Sequence, residues 1–424
     1  MRLLRAAYRP SRLFSQRLLC ASIAALTSPA SFISRELWDD AKRRAVSEKW
    51  VETLPVEHFL HRGGLLQANG EDALQATVGS QPPPILDVRA PCEFAKGHLP
   101  GAINVPIFSD EERAEIGTLY KQQGHDVAVN RGLKLVERKG WDELLAPCPH
   151  VAAGDELLVY CFRGGMRSGS MARLLSQAPL RVHTMEGGYK AFRQWAITRW
   201  EHRRPLCVVG GPTGSGKTEV LLAMREALDA QVLDLEGEAN HRGSIFGALG
   251  REPQPTNEMY ENVLALQWAA FDTRRPVFVE DESHAVGRCG VPPGLWSRMR
   301  AEETAVLRLA IPHEARVEKL VGEYGVYPPA ALADCVRGLA KRLGPEKAAE
   351  LVALLEQEPP ALAHVADELL TSYYDAMYAY QAKKRKDDQH GAPQHTVECD
   401  SGVAIDNARR LLTRYADLYN EGGC

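Results

Sequence analysis

The apolar positions of this chain fall into two textures. From about residue 80 to 200, and again from 205 to about 310, short unbroken apolar runs alternate with amphipathic stretches of helical period. "ILDVRA" (85–90), "ELLVYC" (156–161) and "LRVHTMEGG" (180–188) have strand length and end in turn residues. "RSGSMARLLSQA" (167–178) and "YKAFRQWAITRW" (189–200) carry the helical period between and after them. The charged run "EHRRP" (201–205) breaks the pattern, and "LCVVGG" (206–211) starts a second strand-first unit. Strands alternating with helices predict a parallel sheet in each unit. Beyond residue 311 the runs are long and amphipathic, as in "ALADCVRGLAKRLG", "EKAAELVALLEQE" and "ALAHVADELLTSYYDAMYAYQAKKRK", which predicts helices. The fold class expected is α/β, with two sheet domains at 45–204 and 205–310 and a helical C-terminal region at 311–424.

Length agrees with this division: 424 residues at about 150 per domain is about three units. Net charge is −4, so the chain is no polycation and any nucleic-acid contact must come from local basic patches. The nine cysteines form no CxxC pair and no zinc-finger spacing, so no structural metal is expected. Residues 1–35 are rich in arginine and serine and contain no acidic residue, the composition of an organelle transit peptide. That leader points to a mitochondrion or plastid; without it the chain reads as cytoplasmic. Its apolar stretch is too short and broken to span a bilayer, and no membrane partner is expected.

Chemistry concentrates in two loops. In "VYCFRGGMRSGSMARLL" (159–175), a strand ends at Cys161 and a helix begins a few residues later. Backbone N–H groups of such a loop and helix start converge on one spot, bind an anion, and lower the pKa of a thiol placed there. Gly164 and Gly165 let the backbone curl, Arg163 and Arg167 add cationic donors, and Ser168 opens the helix. The loop thus activates a sulfur nucleophile and holds an oxyanion beside it. Together with "ILDVRAPCEFAKGHLPGAINVP" and "MEGGYKAF", this stretch resembles the rhodanese domain. The resemblance implies that Cys161 carries a persulfide-type (S-selanylcysteine) intermediate. It also implies that Asp87 and Arg89 support the loop from a strand end. Cys161 to Arg167 is one residue longer than the usual sulfur-transferring loop, and is sized for a tetrahedral phosphate. A cysteine phosphatase is therefore a rival, although Tyr160 stands where such enzymes usually have His.

The second loop is Gly211-Pro-Thr-Gly214-Ser215-Gly216-Lys217-Thr218, G-x-x-x-x-G-K-[ST] between an apolar strand and a helix. Its backbone would cradle phosphates, Lys217 would neutralise them, and the Thr218 hydroxyl would bind Mg²⁺. "PVFVEDES" (276–283) supplies a partner strand ending in Glu280, Asp281 and Glu282, acids placed to meet that Mg²⁺. "DLEGEANHRGSIFGALG" (234–250) is too polar for a core and is expected to form a site loop through Asp234, Glu236, His241 and Arg242.

Taken with "EERAEIGTLYKQQGHDVAVNRGLKLV" (111–136), "VEDESHAVG" and "SYYDAMYAYQAKK", these segments resemble the tRNA 2-selenouridine synthase family. That family joins a rhodanese-like domain to a P-loop NTPase-like α/β domain. The resemblance implies a transferase that replaces the sulfur of 2-thiouridine at wobble position 34 with selenium. It further implies an S-geranyl-2-thiouridine intermediate made from geranyl diphosphate. Selenophosphate is then the selenium donor, and the tRNAs are those for Lys, Glu and Gln, met at the anticodon loop. The P-loop could hold ATP or geranyl diphosphate. The competing reading is a rhodanese-type sulfurtransferase or cysteine phosphatase with an accessory nucleotide-binding domain. "FRQWAITRWEHRR" (192–204) interleaves Arg193, Arg199, Arg203 and Arg204 with Trp195 and Trp200. It is either a surface that grips RNA or an amphipathic helix with its tryptophans in the core.

Overall fold

The computed structural model describes residues 51–66, 81–148, 151, 154–176, 180–380, 394–400 and 402–420. The leader at 1–35 lies outside the described residues. The chain divides into two units, at Arg199 and Trp200.

In the first unit Val51–Leu54 (β1) is followed by Val56–Arg62 (α1), Ile85–Asp87 (β2), Pro91–Lys96 (α2), Ile103–Asn104 (β3), Asp110–Gln123 (α3) and His125–Leu145 (α4). Glu156–Tyr160 (β4), Met166–Leu175 (α5), Arg181–Met185 (β5) and Gly188–Thr198 (α6) complete it. All strand pairings are parallel, in the order β1-β5-β4-β2-β3. Apolar runs that would be half-wasted on a one-faced sheet are used on both faces: Leu157, Leu158, Val159 and Tyr160 are all fully buried. β4 is the middle strand, so Cys161 leaves the sheet at its carboxyl edge, where ligands bind in open α/β sheets.

The second unit repeats this logic. Leu206–Gly210 (β6) leads into Lys217–Ala227 (α7), Gln231–Leu233 (β7), Leu235–Glu238 (α8), Asn257–Ala270 (α9) and Val277–Glu280 (β8). A small hairpin of Ala285–Val286 (β9) and Cys289–Gly290 (β10) precedes Pro293–Met299 (α10) and Ala305–Ala310 (β11). Then come the helices His313–Tyr324 (α11), Pro329–Gly338 (α12), Ala340–Leu343 (α13), Pro345–Leu355 (α14) and Leu362–Leu369 (α15). These helices bury their own cluster, including Leu332, Val336, Leu351 and Leu369. Among the described residues no helix is long and apolar enough to cross a membrane.

The described residues 394–400 and 402–420 return to the second unit's sheet and core. Gln394–Glu398 (β12) lies parallel to β11, from Val306↔Gln394 to Ala310↔Glu398, and the sheet order is β12-β11-β6-β8-β7. Ala404–Asn420 (α16) then packs Leu411, Tyr415 and Leu418 into the core beneath β8, with the Tyr415 and Phe278 rings 5.2 Å apart. Among the described residues from 311 onward, the regular elements are thus helices except for one edge strand.

The tryptophans of 192–204 belong to the cores. Trp195 is 8% exposed and donates to Glu57 Oε1 at 2.9 Å in the first unit. Trp200 is 6% exposed and lies 5.3 Å from Trp268 in the second. Arg204 is buried too, with Nη1 donating to the Trp268 and Phe271 carbonyls. The RNA-gripping alternative for this segment therefore loses its stacking faces.

Candidate active sites

The first site is the turn from β4 into α5. Cys161 follows the buried strand directly and is 3% exposed, whereas residues 162–166 are exposed. Gly164 takes φ +64°, and the helix starts after Gly165. Ser168, fully buried one turn into α5, has its hydroxyl 3.2 Å from Cys161 Sγ and 3.2 Å from the Gly165 carbonyl, so its one hydrogen serves either. Burial pushes the Cys161 thiol up. The Ser168 hydroxyl, the backbone N–H groups of Ser168 and Arg163, and the charge of Arg167 pull it down, and the net direction is down. Ser168→Ala should therefore raise the pH at which the thiolate forms. The thiolate absorbance of wild type minus that of Cys161→Ser reads this directly, and an unmoved midpoint would remove Ser168 from the site.

The loop stands on α6 and β2. Tyr189 N–H donates to the Cys161 carbonyl and Lys190 N–H to the Phe162 carbonyl, both at 2.9 Å. That approach requires glycine at 188. A Cβ there would lie 2.3 Å from the Cys161 oxygen and 2.4 Å from Gly164 N, and φ is +59°. Gly188→Ala should cost about 1–3 kcal/mol from the backbone conformation alone, with the clash added, as read by urea unfolding. Below, Asp87 pairs in register with Tyr160 across β2 and β4. Arg89 Nη2 meets Asp87 Oδ2 at 2.6 Å and the Gly97 carbonyl at 2.7 Å, and its guanidinium lies 3.8 Å from the centre of the Tyr189 ring. Burial opposes the Arg89 charge, but the Asp87 carboxylate outweighs it and holds the group firmly protonated. The pair braces both the strand end and the helix that carry the loop.

The second site is the turn from β6 into α7. Gly214 and Gly216 take φ +78° and +75°. Lys217 Nζ donates to the Gly211 carbonyl at 2.9 Å, folding the ammonium back over the loop. Ser215 is 3% exposed and its hydroxyl has no protein partner. Thr218 Oγ1 donates to Glu236 Oε2 at 2.7 Å, so the site loop reaches the phosphate loop through Glu236. Burial raises the Glu236 carboxyl, and Asp234 raises it further against the pull of Thr218 and Lys217. Glu282 is pushed up to about 8, first by burial and then by Glu236, to which it hydrogen-bonds.

The three acids at the end of β8 do different things. Glu280 is fully buried; Oε2 accepts from Leu235 N–H at 2.9 Å, while Oε1 has no protein partner. Burial, then the charges of Asp234 and Glu236, lift its carboxyl well above the usual range. Asp281 Oδ1 accepts from Arg300 Nη1 at 3.1 Å. Only Glu282 joins Glu236 and Thr218. Asp234 caps α8, accepting from Gly237 N–H at 2.7 Å. His241 and Arg242 serve the loop itself: His241 Nδ1 accepts from Gly243 N–H at 3.1 Å, and Arg242 bonds the Leu249 carbonyl at 3.0 Å and Glu323 at 2.8 Å. Burial and the neighbouring Arg251 lower the His241 pKa, which suits an accepting ring.

A thiol loop and a phosphate loop on one chain narrow the field, and the relatives settle it. Residues 71–194 match the rhodanese-like domain, and residues 204–399 match the AAA domain of tRNA 2-selenouridine synthase. The tRNA 2-selenouridine synthase of Shewanella loihica is 38% identical over 339 residues, covering 72% of this chain and 88% of its own. That of Bordetella bronchiseptica is 39% identical over 342 residues, covering 71% and 89%. The chain belongs to the tRNA 2-selenouridine synthase family.

The synthase also uses residues that the sequence left unmarked. Glu93 of α2 holds Arg167 Nη1 at 2.7 Å, and burial, opposed and outweighed by Arg167, leaves its carboxyl low. Arg167 is thereby aimed from the side and does not swing free. Arg316 of α11, 5% exposed, clamps the phosphate loop through the Thr213 carbonyl at 3.0 Å and is itself held by Asp375 at 2.6 Å. Lys319 reaches Glu219 of α7 at 2.5 Å. The motif spacing carried the loops; these long-range braces have no local pattern to betray them.

Proposed function

We propose that this synthase converts 2-thiouridine at wobble position 34 of the tRNAs for Lys, Glu and Gln to 2-selenouridine in two steps, one on each loop. In the first, the phosphate loop holds the diphosphate of geranyl diphosphate. The thiouridine sulfur attacks the allylic carbon, the C–O bond breaks, and diphosphate leaves. In the second, selenium supplied by selenophosphate adds at C2 and the S-geranyl group departs as geranylthiol. A thiocarbonyl sulfur leaves poorly and an alkylated one leaves well, so the first step prepares the second.

Protein groups have clear roles in this reading. Lys217 and the 213–218 backbone neutralise the leaving diphosphate, and the orphan Ser215 hydroxyl gains a phosphate oxygen as partner. Hard oxygen donors at Thr218, Glu236 and Glu282 fit Mg²⁺, whose charge would offset the burial that raises both carboxyls. Mg²⁺ bound there would offset phosphate charge. In the first unit the Cys161 loop holds selenophosphate, a tetrahedral anion suited to the exposed Arg163 and Gly-Gly turn: the Cys161 thiolate takes the phosphoryl group, the P–Se bond breaks, selenide leaves to add at C2, and water then frees phosphate from the sulfur.

The single observation that carries this reading is a buried thiol whose pKa is nevertheless drawn down, in a chain that also holds a complete phosphate loop. Competition tests it: geranyl diphosphate should displace a non-hydrolysable ATP analogue from the wild-type protein in the presence of Mg²⁺. Failure to compete would return the loop to nucleotides alone.

A further inference from the structure

The helical cluster of the second unit lines a half-open apolar cavity of about 70 Å³. Its wall includes Leu320 of α11, Leu355 of α14, Leu362 and Leu369 of α15, and Phe246 of the 234–250 loop. Thr213 of the phosphate loop and Ser244 also line it, and no lining residue is charged.

Its position gives it a use. Thr213 sits between Gly211 and Gly214, so any ligand whose phosphates rest on this loop has the cavity beside it. A nucleotide would bring a ribose and a base that need several hydrogen-bond partners. The wall offers only the hydroxyls of Thr213, Ser244, Tyr324 and Tyr374, with Ser244 already beside the two tyrosines. An isoprenoid tail needs none. Size sets a limit: the space is about half that of a 150 Å³ cavity able to bind benzene. It seats the end of a chain and not a long one.

We propose that this cavity is the specificity pocket of the prenyl donor, taking the distal isoprene unit of an allylic diphosphate held on the phosphate loop. The inference rests on the preceding reading that this loop binds a prenyl diphosphate. Phe246 then couples the acidic loop at Glu236 to the tail, so one ligand touches both ends of the 234–250 segment.

The test measures binding of pyrophosphate and of dimethylallyl, geranyl and farnesyl diphosphates to the full chain, as wild type, Ala366→Phe, Leu362→Ala and Lys217→Ala. Ala366 lines the cavity and is half-buried, so its enlargement fills the space from a wall that can give. Wild type should prefer geranyl diphosphate to both the shorter and the longer donor. Ala366→Phe should weaken geranyl diphosphate by about ten- to a hundredfold and leave pyrophosphate unchanged. Leu362→Ala should shift preference towards farnesyl diphosphate, which keeps the pocket testable should Ala366→Phe not fold. Equal affinity of wild type for pyrophosphate and geranyl diphosphate, with both lost in Lys217→Ala, overturns the pocket and leaves the loop's reading intact. No Lys217-dependent binding of any of the four overturns both.

Discussion

Lys217→Ala is expected to lose geranyl transfer to a 2-thiouridine stem-loop by about 10²- to 10³-fold, the usual cost of removing one preorganised donor from a developing anion. Selenation should fall with it, since no activated sulfur would remain to be displaced. The physical ground is the position of the ammonium. Lys217 Nζ lies 2.9 Å from the Gly211 carbonyl, at the first turn of α7, where backbone N–H groups and the helix dipole already favour negative charge. A diphosphate leaving group gathers charge as the C–O bond breaks, and Lys217 is the mobile cation able to meet it there. The check is nucleoside mass spectrometry of the stem-loop after incubation with geranyl diphosphate and Mg²⁺. Supplying chemically S-geranylated stem-loop should restore selenation to the variant, because its defect precedes that intermediate. If Lys217→Ala selenated 2-thiouridine at the wild-type rate, the phosphate loop would have no part in the chemistry.

Cys161→Ala is expected to do the opposite. Selenation should drop to background while geranylation stays within about twofold of wild type, and S-geranyl-2-thiouridine should accumulate. The substitution removes one sulfur from a loop whose backbone bonds, Tyr189 to Cys161 and Lys190 to Phe162, are made by main-chain atoms and survive it. The melting temperature should therefore hold, which separates loss of chemistry from loss of fold. Mass spectrometry of the same stem-loop, now with selenophosphate added, reads both products. A cysteine variant that fails to geranylate would require the two sites to act as one.

The two loops were legible because each is a local sentence. Cys161, the glycines and arginines after it, and Gly211 to Thr218 stand on one strand–turn–helix apiece, and turn geometry ties sequence spacing to position. Strand ends at Asp87 and Glu280 were legible for the same reason. What the sequence could not carry was pairing across distance. Three acids at the end of β8 looked equivalent, and only the fold sends Glu280 to Leu235, Asp281 to Arg300 and Glu282 to Glu236. His241 and Arg242 looked like site residues because they are polar in a glycine-rich stretch; they hold that stretch in shape. Trp195 and Trp200, spaced among arginines, fit either a core or an RNA surface, since amphipathic period is common to both. "QHTVE" at 394–398 has too little apolar pattern to announce a strand, and it forms one because β11 offers an open edge.

The measurement that tests the account most directly is an order-of-addition experiment on the wild-type chain, read by nucleoside mass spectrometry. A 2-thiouridine anticodon stem-loop is incubated with geranyl diphosphate and Mg²⁺, the diphosphate is removed, and selenophosphate is then added. The account predicts a geranyl adduct in the first stage that converts to 2-selenouridine in the second, and no 2-selenouridine when geranyl diphosphate is withheld. Selenouridine formed from selenophosphate alone, or no adduct at all beside plain sulfurtransferase or phosphatase turnover at Cys161, would contradict it.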